Sequence, residues 1–205
     1  MRLGLLGPAD GKLAELGRAA EFLLNVAKVD RAIYLGDDEA LEKAVITWAK
    51  RIVGNDPTDE GAWQQAAALA FEGEPNDIDR FIRAQRARLR LRTLESLPRG
   101  SARTIEMIGD RVAILIHDKA LLDEEDIFAA NLLVYGRSEG PLITRVGARW
   151  FLTPGPLREG EGGVGILDDG SEQIAATMYD LDGQAKLNET LSFTRSPKMR
   201  VQGDL

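Results

Sequence analysis

At 205 residues the chain is long enough to bury a hydrophobic core, and its lack of cysteine excludes disulfides and thiolate zinc sites. The formal net charge of −7 makes it a poor general binder of nucleic acid, because attraction to phosphate needs a positive field. His117 is the single histidine. With no signal-peptide pattern and no apolar run of membrane-spanning length, we expect a cytoplasmic protein without a membrane span.

The first part of the chain predicts strands that alternate with helices. Apolar runs at residues 2–6 and 31–35 predict buried strands, and apolar residues at three- and four-residue steps predict helices over 11–29 and 38–50. A brief third strand is expected at 51–53. This order predicts parallel strands joined by right-handed crossovers.

Residues 57–95 interrupt the alternation and predict a helical insertion. An Ala-rich helix over 59–71 is followed by an Arg-rich helix over 77–94. We expect Trp63 and Phe71 to pack this insertion onto the body, whereas an exposed apolar stripe there would indicate a protein interface.

The arginines of the second inserted helix allow two interpretations. Arg83, Arg86 and Arg90 share one face of the helix. A solvated face is the ordinary outcome for such a run of charges, and a contact surface for an acidic partner is the alternative.

The rest of the chain predicts strands joined mostly by tight turns, with one short helix over 123–130. The strands are expected at 103–108, 111–117, 131–135, 142–146, 149–153, 164–167 and 173–180. Together the elements predict an α/β fold, a two-sheet mixed β-sandwich flanked by helices. We expect one domain over residues 1–195 and a flexible tail over 196–205.

Polar, Gly-marked segments follow several of the predicted strands. They are Gly7-Pro8-Ala9-Asp10, Gly36-Asp37, Gly54-Asn55, His117-Asp118 and Gly136-Arg137-Ser138-Glu139. Ligands gather at the carboxyl ends of strands in α/β folds. Turns that end strands also favour Gly, Asp and Asn, so the residues alone leave both a ligand cluster and ordinary turns open.

In order and spacing these segments resemble the motifs of the calcineurin-like metallophosphoesterases, in particular their small single-domain phosphodiesterases. The resemblance covers residues 1–180 apart from the insertion, and it implies the same fold. Asp37 matches the family's aspartate that bridges two metal ions, and His117 matches a histidine ligand. Gly54-Asn55-Asp56 matches a shortened form of the segment that supplies an asparagine ligand. Pro154-Gly155-Pro156 stands where the family has Pro-Gly-Ser.

Other ligand positions of the family carry different side chains here. Pro8 occupies the position of the first aspartate and has no donor atom, and Asp10 and Glu139 occupy positions of histidines. Arg137 also replaces a histidine, and a guanidinium cannot ligate a cation and would repel one. The resemblance therefore implies that both metal centres have lost a ligand.

Two functions follow from this resemblance. The first is a catalytically degenerate protein that has no metal cofactor and acts as a binding or scaffold module, as the retromer scaffold subunit uses a similar fold for protein contacts. It implies that Arg137 pairs with Asp10, Asp37 or Glu139. Its expected partner is a protein, contacted through the insertion and the degenerate pocket, and a homo-oligomer is a further option.

The second function is a metal-dependent phosphodiesterase or phosphatase with a remodelled mononuclear site for Mg²⁺ or Mn²⁺. Arg137 would then contact a substrate phosphate. The ligands of that site would be Asp10, Asp37, Asn55, His117 and Glu139.

Overall fold

Two mixed β-sheets pack face to face, with helices on their outer sides, in a computed structural model that describes residues 1–54, 56–101, 103–170 and 173–193. In chain order the elements are β1 (Arg2–Leu6), α1 (Leu13–Glu21), β2 (Arg31–Tyr34), α2 (Ala40–Val53), α3 (Asp59–Glu72), α4 (Pro75–Arg90), β3 (Leu94–Ser96), β4 (Arg103–Ile108), β5 (Arg111–Ile116), α5 (Glu124–Ala129), β6 (Leu132–Tyr135), β7 (Leu142–Val146), β8 (Arg149–Thr153), β9 (Val164–Asp169), β10 (Ile174–Tyr179) and β11 (Ala185–Leu191). The predicted two-sheet α/β fold is confirmed.

The first sheet has the order β11-β10-β9-β1-β2-β3, and the second has the order β4-β5-β6-β8-β7. Strands β1, β2 and β3 run parallel, as predicted for the opening of the chain. Strands β5, β6 and β8 are also parallel to one another. Each sheet therefore presents three parallel carboxyl ends at one edge, and four of the five polar segments follow these strands.

Apolar side chains from both sheets share the central layer, where Leu5 and Ile33 of the first sheet meet Leu115 and Val134 of the second. A second cluster joins α1 and α2 to the outer face of the first sheet. A smaller cluster places α5 against the outer face of the second sheet. Burial of these apolar faces is the main force that holds the layers together.

The prediction of a strand at 51–53 is wrong, because these residues form the last turn of α2. Ile52 lies one turn beyond Trp48 on the helix face that packs against the core, and this favours continued helix over strand. Gly54 ends the helix, and its amide donates to the Lys50 carbonyl at 2.9 Å. The third parallel strand is instead β3, which follows the insertion.

The remaining elements agree with the sequence to within a few residues. The predicted first helix is split into α1 and a π-helical segment over Phe22–Ala27. His117 lies just beyond β5, and β11 has no counterpart among the predicted strands. The tail predicted over 196–205 lies outside the described residues. None of the helices described is long and apolar enough to cross a membrane.

The insertion forms a helical hairpin, α3–α4, and it attaches to the body differently from the prediction. Trp63 and Phe71 are 76% and 90% exposed, so the expectation that they pack the insertion onto the body is wrong. None of the fourteen residues of α3, all of them described, is buried. Arg88 of α4 is buried instead, and α4 is the helix that packs on α2.

Candidate functional site

Close backbone contacts bring the two sheets together at the strand-end rim, which we define as the segments that follow β1, β2, β3, β5 and β6. The Leu35 amide donates to the Leu6 carbonyl at 2.8 Å, which joins the ends of β1 and β2. The Arg137 amide donates to the His117 carbonyl at 2.7 Å, which joins the ends of β5 and β6. His117 Nδ1 lies 2.8 Å from the Leu35 carbonyl oxygen and links one sheet to the other.

Two glycines of the rim are required by backbone contact. A Cβ on Gly7 would lie 1.8 Å from the Gly155 oxygen, and a Cβ on Gly136 would lie 2.2 Å from the Leu35 oxygen. Neither neighbour is a side chain that could turn away, so a larger residue would force the backbone apart. The Leu157 amide also donates to the Pro8 carbonyl at 2.9 Å, so Pro8 and the 154–157 segment form one packed unit.

His117 and Asp37, both expected at the site, do lie together. A carbonyl oxygen can only accept, so His117 Nδ1 carries a proton and donates to Leu35. In the neutral ring Nε2 is then unprotonated, and it faces Asp37 Oδ2 at 3.6 Å. This backbone hydrogen bond fixes the ring orientation in the way that metal-ligating histidines are commonly fixed.

The ion pair of Arg137 differs from the prediction. Its Nη1 lies 2.9 Å from Asp118 Oδ2, whereas Asp10, Asp37 or Glu139 was expected as the partner. The contact between the ends of β5 and β6 brings Asp118 beside Arg137. The Asp118 side chain is only 18% exposed. Its pKa is lowered, mainly because the Ala120 amide donates to it and further because Arg137 does.

A buried tyrosine supports the loop that carries Pro8 and Asp10. The Tyr34 hydroxyl accepts from the Ala9 amide at 3.0 Å and donates to Asp38 Oδ1 at 2.7 Å. Burial, with the nearby carboxylates of Asp38 and Asp10, raises the pKa of Tyr34, so it stays a neutral donor. Sequence reasoning missed this group, although its place at the end of β2, four residues before Asp38, could have indicated it.

Asp10 and Glu139 are exposed, and each occupies a turn of the rim. Asp10 has a positive φ of 49°, a conformation that aspartate tolerates better than most residues. Glu139 lies within a turn in which the Ser138 hydroxyl donates to the Gly140 carbonyl at 2.8 Å. Both positions are compatible with contacts to a ligand or a partner that approaches from solvent.

The segment that carries Asn55 follows a helix and not a strand, so its proposed match to the family's asparagine segment loses its structural basis. Asn55 itself lies outside the described residues. The segment after β3 is Leu97-Pro98-Arg99-Gly100, which sequence reasoning did not consider. Arg99 Nη1 lies 3.1 Å from Glu39 Oε1 and adds a second arginine to the rim. A cleft of about 170 Å³ separates this segment from Gly36 and Asp37.

The described part of the rim does not fit a two-metal centre. Among the residues that the structure describes, no group of three or more histidine and acidic side chains is arranged to hold a metal ion. His117 and Asp37 offer a pair of donors, while Arg137 and Arg99 bring positive charge. A cationic guanidinium near a cation site opposes binding of the metal.

The three arginines expected to share a contact surface have different environments. Arg83 and Arg86 are exposed, and Arg83 lies 4.0 Å from Asp79 of its own helix. Arg90 donates to the Leu24 carbonyl and, at 3.3 Å, to Asn25 Oδ1. It therefore anchors α4 to the segment that follows α1, which leaves Arg83 and Arg86 as the outward charges.

No family model matches the chain, and no curated protein matches it in sequence. Solved structures do match it. Yfce, a phosphoesterase from E. coli, is 15% identical, with 94% of this chain and 100% of that chain covered and a TM-score of 0.54. A predicted phosphoesterase from Streptococcus pneumoniae TIGR4 is 15% identical, with coverage of 93% and 98% and a TM-score of 0.50. An archaeal phosphodiesterase is 14% identical, with coverage of 93% and 100% and a TM-score of 0.50. The resemblance inferred from the motifs is thus confirmed for the fold.

Proposed function

We propose that this chain, which has the calcineurin-like metallophosphoesterase fold, acts as a binding or scaffold module in which ion pairs occupy the place of the two metal ions. The observation that carries the proposal is the Arg137–Asp118 pair at 2.9 Å, at the rim where the motif order places a metal ligand. Two-metal hydrolysis needs both ions to generate hydroxide and to stabilise the attacking and leaving oxygens. A guanidinium can do neither, because it has no donor atom for a metal and keeps its proton.

The size and charge of the rim also support binding over catalysis. The cleft of about 170 Å³ is smaller than the roughly 300–1,000 Å³ that small-molecule sites usually occupy. Asp37 and Asp38 line the cleft and are exposed, and Asp10 and Glu139 are exposed on other segments of the rim, while Arg99 and Arg137 are each paired with a carboxylate. Such an open acidic surface suits a basic segment of a protein partner.

Metal analysis joined to an activity assay tests the proposal. Protein incubated with Mn²⁺ and then freed of unbound metal should retain no stoichiometric Mn²⁺, and it should hydrolyse bis-p-nitrophenyl phosphate no faster than a protein-free control. Stoichiometric metal, together with turnover abolished in Asp37→Ala and kept in Asp79→Ala, would overturn it. Asp79 is a matched control because it is an exposed aspartate on α4, outside the rim.

The binding half of the proposal has its own test. Replacement of Asp37 and Asp38 by arginine should abolish capture of protein partners that wild-type protein retains, because it reverses the charge of the rim. The same replacement at Asp77 and Asp79 of α4 should leave capture unchanged. Equal capture by all three proteins would reject the rim as the binding surface.

A remodelled mononuclear phosphodiesterase or phosphatase is the second candidate, and the orientation of His117 favours it. The Leu35 carbonyl accepts from Nδ1, so Nε2 is the ring nitrogen that faces Asp37, and it can ligate a metal when the ring is neutral. In this candidate His117 and Asp37 would hold one Mn²⁺ or Mg²⁺, and Arg137 would bind a phosphate oxygen. The same assay separates the candidates, since only this one expects turnover that depends on both Asp37 and His117.

A further inference from the structure

The hairpin α3–α4 exposes apolar side chains that a solvated surface does not require. Trp63, Phe71 and Leu89 are 76%, 90% and 46% exposed, and Ile78 and Ile82 are each 39% exposed. Scattered apolar residues are normal on protein surfaces, but a cluster that includes a tryptophan and a phenylalanine on one hairpin is typical of an interaction site.

These side chains form one stripe on each helix. On α3 the half-buried Ala62, Ala66 and Leu69 share one face, and the exposed Trp63 and Phe71 lie outside it. They are about two turns apart along the helix and about 80° apart around it, so the apolar strip of α3 is broad. On α4 the stripe consists of Ile78, Ile82 and Leu89. Each helix therefore offers a continuous apolar strip to another helix.

The hairpin is held in place, so the strips form a preformed surface. Arg88 is buried and donates to the Pro57 carbonyl at 2.7 Å and to Asp59 at 2.8 Å, which ties α4 to the start of α3. Arg90 ties α4 to the Leu24 carbonyl of the body. A partner that binds here does not have to order the hairpin first, which lowers the entropic cost of binding.

The two helices carry opposite charge. Helix α3 contains three carboxylates, at Asp59, Glu60 and Glu72, and no lysine or arginine. Helix α4 contains five arginines against two aspartates, and Arg83 and Arg86 face outward. An acidic helix with an apolar strip and a basic helix with an apolar strip are complementary, and one hairpin presents both.

We propose that the hairpin binds the hairpin of a second copy of this chain. A two-fold axis would place α3 of each copy against α4 of the other, so each contact occurs twice and acidic meets basic in both places. The result is a four-helix arrangement with Trp63, Phe71, Ile78, Ile82 and Leu89 of both copies at its centre. A partner with a single acidic or basic surface would pair with only one of the two helices. A second copy pairs with both, because its own hairpin carries both charges. The inference is independent of the proposed function, because an active enzyme could associate in the same way.

The mass of the protein in solution tests the inference. Sedimentation velocity over a wide range of concentration should show a dimer of 22.4 kDa chains. The double variant Trp63→Glu, Phe71→Glu should raise the dimer dissociation constant at least about tenfold, as expected for removal of central aromatic anchors, without changing the far-UV circular dichroism of the folded chain. Phe128→Glu is the matched control, because Phe128 is 84% exposed on α5, and it should remain dimeric.

Charge exchange tests the pairing of α3 with α4 directly. One double variant, Glu60→Arg with Glu72→Arg, makes α3 basic. The other, Arg83→Glu with Arg86→Glu, makes α4 more acidic. Each should dimerise more weakly than wild type on its own, because each brings like charges together. Their mixture should form heterodimers in which both contacts join opposite charges, because one contact carries the exchanged charges and the other keeps the wild-type ones. A monomeric wild type would overturn the inference. So would unchanged dimerisation of the Trp63, Phe71 double variant, or a mixture of the two charge variants that forms no heterodimer. A monomer whose hairpin captures a different protein would assign the surface to that protein.

Discussion

The strand-end rim and the hairpin differ in what fixes their structure. At the rim, backbone meets backbone, and Gly7 and Gly136 leave no room for a side chain. On the hairpin, α3 buries none of its described residues, and Arg88 is the buried anchor of α4. The rim can therefore keep its shape while its polar side chains change, whereas the hairpin depends on a few side chains and leaves its surface free.

The largest effect should come from the rim backbone. Gly7→Ala should lower the free energy of unfolding by about 3 kcal/mol, because the new Cβ would lie 1.8 Å from the Gly155 oxygen. Gly140→Ala is the control, because no atom lies within 4 Å of its Cβ position, and it should change the value by no more than about 0.5 kcal/mol. Urea unfolding measures both, and equal effects would show that contact at Gly7 does not control the rim.

The next largest effect should come from the anchor of the hairpin. Arg88→Ala should lower the free energy of unfolding by about 2 kcal/mol. The Pro57 carbonyl would lose a charged donor, and loss of the buried aliphatic part of the arginine would leave a cavity. Arg80→Ala should lower the free energy of unfolding by less than about 0.5 kcal/mol, because its side chain is 78% exposed and its pair with Asp77 is screened by solvent. If the two variants unfolded alike in urea, the hairpin would not depend on Arg88.

A smaller effect, dependent on pH, should arise at Asp59. Hydrogen bonds from Arg92 and then Arg88 lower the pKa of Asp59 to about 2, below the value of about 3.9 for an unfolded chain. A lowered folded pKa stabilises the protein above the unfolded pKa, and this contribution is lost as the pH falls from about 4 through about 2. The stability difference between wild type and Asp59→Asn should therefore shrink over that window in urea titrations. A difference that stays constant would contradict the ion pair.

The smallest effect should come from a rim side chain. Arg137→Ala should change the free energy of unfolding by less than about 0.5 kcal/mol, because the arginine is 73% exposed and solvent screens its pair with Asp118. Thermal melts of wild type and variant should nearly coincide. A large loss would mean that the rim depends on its side chains as the hairpin does, and the contrast between the two regions would fail.

The sequence predicted most of the fold because burial and local pattern agree in most elements. The strands over 103–180 were predicted correctly from alternation and turns. The wrong prediction of a strand at 51–53 arose because Ile52 and Val53 suit strands, whereas contact of Ile52 with the cluster around α1 and α2 favours the helix. Strand β11 was not predicted because most of its residues are exposed and it has no alternating buried face. Its extended conformation comes from pairing with β10.

The site was less predictable than the fold. The order of the Gly-marked segments predicted that the ends of β1, β2, β5 and β6 meet, but it missed the end of β3 and did not predict which side chains pair at the rim. Arg137 could reach several carboxylates, and only the contact between β5 and β6 determines that Asp118 is its partner. Composition likewise shows that Trp63 and Phe71 are apolar, but not whether anything covers them.

The position of β1 has a consequence for how the chain assembles during synthesis. Leu3 pairs with Arg31 on one side and with Leu167 on the other, so the pairing of β1 is delayed until β9 has been synthesised. The second sheet uses strands that all fall between Arg103 and Thr153, and it can form without that delay. Because contacts distant in sequence form late, we expect amides of β5 and β6 to gain protection from hydrogen exchange before those of β1 during refolding.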